Sequence, residues 1–91
     1  MKFQKRPVRV EATPIEFIIA VGRTEPEIMP DWIQEALAHN KISIHDDLIV
    51  VKTLEGNMTG QRSDWLIQGV RGELYPCEGS IFMETYEKVE E

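Results

Sequence analysis

Val8, Val10 and Ala12 alternate with Arg9 and Glu11 near the start of the chain, the period-two pattern of a strand with one covered face. The surrounding run VRVEATPIEFIIAV is rich in β-branched residues, and Pro14, which has no N–H for a ladder, marks an edge, a bulge or the end of that strand. Phe17 to Val21 then either continues the sheet or turns toward a helix. GRTEPE (22–27) joins glycine, proline and two acids and reads as an exposed loop. The period changes in MPDWIQEALAHN, where Trp32, Ile33, Ala36 and Leu37 fall on one helical stripe. Pro30 or Asp31 suits the first turn, and Asn40 is placed to take the left-handed conformation that closes a helix over about 30–39.

Period two returns afterwards as a series of hairpins. Ile42 to Ile44 and Leu48 to Leu54 flank a His45-Asp46-Asp47 turn, and Gly56-Asn57 has the composition of a two-residue type II′ turn returning the chain through Met58 to Gln61. DWLIQ and ELYPC are strand-like, and Val70-Arg71-Gly72 between them fits a three-residue loop whose glycine takes positive φ. Read as a phosphate cradle, Gly69-x-x-Gly72 would need a helix after it, and a strand follows instead. Pro76 ends that strand, a short helical turn follows near 79–84, and Tyr86 to Val89 forms a closing strand beside the first. The expected fold is α+β: a curved, mostly antiparallel sheet or small open β-barrel with one packed helix.

Length and charge narrow the picture. Ninety-one residues suffice for one domain over 1–91, with a basic arm (1–6) and a frayed tail (89–91). Lys2, Lys5, Arg6 and Arg9 give the first nine residues +4, which leaves −10 on the rest of a chain of net charge −6. An acidic body repels phosphate backbones, and with no basic stripe or recognition helix the pattern counts against duplex nucleic acid. No apolar run approaches the roughly 18 residues of a membrane span, and MKFQKRPVRVE lacks the apolar centre of a secretory signal, so a cytoplasmic location is expected. The single Cys77 offers neither a disulfide nor zinc-site spacing, and no cofactor motif stands out.

Candidate chemistry is sparse. His45, Asp46 and Asp47 are metal-ligating types, but neighbours on a tight turn cannot all converge on one ion, and His39 lies at a helix end, so no metal site is assigned. Glu73 and Tyr75 share one strand face about 7 Å apart, and with Tyr86 and Glu87 they form either a polar pocket or a surface ladder. Cys77 is either a nucleophile activated by a nearby base or a small core side chain. Trp32 and Trp65 read as core anchors.

The DWLIQGVRGELYPC segment, with the FMETYE ending and the KFQKRPVRVEATPIEF beginning, resembles a family of small phage- and prophage-encoded proteins of unknown function. Their corresponding segments run Gly-Asp-Trp-Ile-Ile-x-Gly-Val-x-Gly-Glu-x-Tyr-Pro-Cys and Phe-x-x-Thr-Tyr-Glu. This chain departs just before the tryptophan, with Arg62-Ser63-Asp64 where similar sequences have Pro-Gly-Asp. The resemblance implies a phage-derived origin and a bacterial cytoplasm, and it carries no catalytic residue set. Two function classes follow. One is a protein-interaction module that binds a host or phage protein through a sheet edge or the helix's exposed rim, acting as a homodimer or monomer. The other is a small hydrolase or ligand-binding enzyme with a pocket around Glu73 and Tyr75, assisted by Cys77 or a histidine.

Overall fold

A computed structural model of the chain describes residues 1–4 and 7–89. The fraying expected of the termini concerns, in part, Lys5, Arg6, Glu90 and Glu91, which lie outside the described residues. The fold is α+β. Among the described residues six strands form two three-stranded antiparallel sheets and no closed barrel: β1 (Glu11–Pro14), β5 (Trp65–Gln68) and β6 (Leu74–Cys77) in the order β1-β5-β6, and β2 (Ile42–His45), β3 (Leu48–Thr53) and β4 (Gly56–Gln61) in sequence order. Three helices accompany them among the described residues: α1 (Ile15–Val21), α2 (Asp31–Ala38) and α3 (Gly79–Thr85), with a 3-10 turn at Pro26–Ile28. The main core gathers Ile15 and Ile18 of α1, Ile33 of α2, Ile42, Ile49 and Val51 of the second sheet, and Leu66 and Leu74 of the first.

The initial strand is shorter than its composition suggests. It pairs with β5 from Glu11↔Gln68 to Pro14↔Trp65, and at Gly69 the partner strand has already entered its loop. Residues 7–10 therefore have nothing to pair with and hold no regular structure. On the other side, Ile15 to Val21 is a helix despite its β-branched composition. Ile15, Ile18 and Ile19 fall at i, i+3 and i+4 and all are buried, so core burial on one helical face overrides the weak local preference for strand.

Helix α2 begins after Pro30 and ends at His39. Asn40 has φ 57°, and the N–H groups of Lys41 and Asn40 donate to the carbonyls of Ala36 and Leu37, the paired bonds of a Schellman stop. Ile33 and Ala36 are buried, with Trp32 and Leu37 packed at their edges.

One turn differs from expectation, and another matches it. The β3–β4 reversal lies at Leu54-Glu55, two residues before Gly56-Asn57, with Thr53 paired to Gly56. Gly56 has φ 112°, while Leu54 and Glu55 both stay at negative φ. The glycine thus follows the tip, as Gly72 (φ 81°) follows Val70-Arg71 in the β5–β6 hairpin. That second loop is closed by bonds from the Gly69 N–H to the Glu73 carbonyl (2.8 Å) and from the Gly72 N–H to the Gly69 carbonyl (3.0 Å).

Pro76 lies within β6 and does not end it, for a reason set by ladder parity. The Gly69–Glu73 bond makes Ile67–Tyr75 and Trp65–Cys77 the hydrogen-bonding pairs, so position 76 points its backbone away from β5 and no ladder bond is lost. Gly60 of β4 sits against Pro76 and Ile15, where a Cβ would have no room. The expected closing strand is absent: residues 86–89 form no ladder. Tyr86 is instead held by α3, its ring stacked on Phe82 at 5.1 Å.

Candidate functional site

Side chains of the first sheet alternate between two faces. Thr13, Leu66 and Pro76 look toward the second sheet, and Trp65, Ile67, Tyr75 and Cys77 look the other way. Helix α3 covers that outer face. Phe82 stacks on Trp65 with ring centroids 4.2 Å apart and planes 10° from parallel, and Tyr86 stacks on Phe82 in turn. Ile67 is 0% exposed yet stands outside the main cluster, so it anchors a second small core on this side. Trp65 accordingly serves as a packing platform for α3.

The candidate residues on β6 and in the loop just before it separate into different environments. Glu73 folds back on its own loop, its carboxylate accepting from the Arg71 N–H at 3.1 Å and lying against Gly69. Tyr75 is half-buried, and its phenol is pushed up to about 12, first by burial, then by the adjacent Tyr86 hydroxyl and the negative charge of Glu73. Cys77 stands opposite Trp65 at the far end of the strand. Burial raises its thiol pKa, with Asp64 and Glu78 adding to the effect, so it stays protonated at neutral pH and is a poor nucleophile. Tyr86 is engaged in the aromatic stack, and Glu87 is exposed.

The histidines and the acidic turn are also placed. His39 caps α2 in solvent, and His45 Nε2 meets Ser43 Oγ at 2.7 Å on β2. Asp46 takes φ 50° at the tip of the β2–β3 turn. Asp47 accepts from Arg62, whose guanidinium also reaches Glu16 Oε1 at 2.9 Å and thereby ties that turn to α1. These two carboxylates raise the Arg62 pKa further. Among the described residues no three of His, Cys, Asp and Glu converge closely enough to hold a metal ion.

The feature that sequence reasoning missed is the β3–β4 tip. Thr53 Oγ1 donates to the Gly56 carbonyl at 2.6 Å and accepts from the Glu55 N–H at 3.1 Å, fixing the reversal from inside. Leu54, held out by this arrangement, is 94% exposed. Two hollows open to solvent flank it. One, of about 220 Å³, lies between Leu54, Glu55 and Met58 on one wall and Glu73 and Tyr75 on the other. The second, of about 260 Å³, adds Lys41, Lys52 and Gly72 around the same Leu54 and Glu73. Tight turns favour Gly, Asn, Asp and Ser, so a leucine at such a tip runs against the local chemistry, and the displaced Gly-Asn signal was the clue.

No family model, no curated protein and no solved structure matches this chain. Among the described residues no helix is long and apolar enough to cross a membrane.

Proposed function

We propose that the chain is a phage- or prophage-derived accessory protein of the bacterial cytoplasm that acts by binding a host or phage protein through the Leu54 tip and its two hollows. The observation that carries this reading is the combination at one point of an apolar side chain 94% exposed and a turn braced by both hydrogen bonds of Thr53. A braced tip loses little freedom on association, which is the condition under which a small apolar contact yields usable affinity. Leu54 and Met58 would seat one apolar side chain of the partner. Glu55 and Glu73 on one flank favour a basic neighbour, and Lys41 and Lys52 on the other favour an acidic one. The phage origin rests on the resemblance of the Trp65–Cys77 and Phe82–Glu87 segments.

Burying a leucine side chain is worth about 1.5–3 kcal/mol, so Leu54→Asp should weaken binding by about tenfold to a hundredfold. The test is affinity purification from phage-infected or lysogenic bacteria with the wild-type chain, Leu54→Asp, and Met83→Asp as an exposed apolar control on α3. A partner retained by wild type and Met83→Asp and lost with Leu54→Asp is expected. Equal recovery with all three would refute the proposed surface.

A further inference from the structure

Strand β1 is the open edge of the first sheet, because β6, at the opposite edge, packs against β3 and β4. The Ile15 N–H donates to the Asp64 carbonyl at 3.0 Å, which sets the parity of the β1–β5 ladder: Glu11 and Thr13 turn their backbone groups toward β5, while Ala12 and Pro14 turn theirs outward. Extended one step back, the same parity turns Val10 and Val8 outward. Among the described residues no backbone hydrogen bond joins residues 7–10 to the rest of the chain. An edge with free N–H and C=O groups and no covering element is a template for another strand.

We propose that two copies of the chain join by antiparallel pairing of this edge about Val10, giving a continuous sheet β6-β5-β1-β1′-β5′-β6′. The charges favour this register over the one centred on Ala12. Centred on Val10, it sets Val10 against Val10 of the second copy and Ala12 against Val8, the outward-facing positions that exchange pairs of main-chain hydrogen bonds. It also sets Arg9 against Glu11 twice, once on each side of the two-fold axis, in the non-hydrogen-bonded positions where side chains approach most closely. Neither residue has an ion-pair partner among the described residues of its own chain. Shifting the register by two residues about the axis, to a centre at Ala12, loses both Arg9–Glu11 pairs. Pro14, facing outward without an N–H, ends the ladder on each side. The interface is isologous.

The test is the mass of the full chain in solution, by light scattering and native mass spectrometry at micromolar concentration. The wild type should approach twice the 10.5 kDa chain mass. Arg9→Glu or Glu11→Arg turns two attractive contacts into two repulsive ones, so each should raise the dimer dissociation constant roughly tenfold or more. The register makes a stricter demand: the two single variants mixed should form a heterodimer, and the double variant R9E/E11R should regain the homodimer. Val10→Pro removes an outward N–H that the monomer does not use, so it should abolish the dimer while leaving the circular dichroism spectrum and melting transition of the fold in place. A monomeric wild type, a dimer indifferent to the single reversals, a mixture that fails to associate, or a dimer that survives Val10→Pro would each overturn the proposal.

Discussion

Replacing Phe82 with alanine tests whether α3 belongs to the fold or merely trails from β6. The ring lies between Trp65 at 4.2 Å and Tyr86 at 5.1 Å, both in stacked arrangements. Each such pair is worth about 0.5–1.5 kcal/mol beyond area burial, so losing both removes about 1–3 kcal/mol. Deleting a fully buried phenylalanine costs about 3–5 kcal/mol, and Phe82 is only half-buried, which places the expected loss near 2 kcal/mol. For a domain of this size that is a fall in melting temperature of roughly 10 °C. Urea unfolding followed by circular dichroism and by tryptophan fluorescence measures it, and a Trp65→Ala/Phe82→Ala cycle adds a second reading. The two rings touch, so the double variant should lose less than the sum of the singles. A loss under about 0.5 kcal/mol, or strict additivity, would refute a stacked role for α3.

Gly72→Ala places a Cβ at φ 81°, where L-residues are strained, and should cost about 1–2 kcal/mol in the same unfolding assay. The open space around that position means the whole effect comes from the backbone. Alkaline pH should destabilise the fold through Tyr75. Its folded pKa of about 12 lies above the unfolded value of 10.0, so between these values the unfolded chain gives up its proton first. The stabilising contribution is complete below pH 10 and is lost as pH rises toward 12. Thermal melts across that range should show the decline, and Tyr75→Phe should flatten it.

Much of the fold could be read from local pattern because single residues decide it. Asn40 stops α2, Gly72 shapes the β5–β6 loop, and the Trp32-Ile33-Ala36-Leu37 stripe marks the helix that packs on the core. Other elements depend on what they meet in three dimensions. Ile15 to Val21 has strand composition, and only its i, i+3, i+4 spacing of buried isoleucines betrays a helix. Tyr86 to Val89 has the residues of a strand, but the Phe82 ring captures Tyr86 and no edge receives the rest. Pro76 looked like a terminator because its harmless outward orientation follows from a ladder register that no short window contains. Glu73, Tyr75 and Cys77 attracted notice by type, whereas their placement gives them loop-closing and packing roles. Leu54 escaped notice because turn chemistry pointed two residues downstream, to Gly56-Asn57.

The central claim is that the Leu54 tip is a contact surface, and site-directed photo-crosslinking in phage-infected or lysogenic cells tests it most directly. A photoreactive phenylalanine analogue at position 54 should give one dominant crosslinked species, mapped by mass spectrometry to a single partner. The same group at position 83, exposed on α3, should not give it. Crosslinks from position 54 that are diffuse, or identical to those from position 83, would contradict the account.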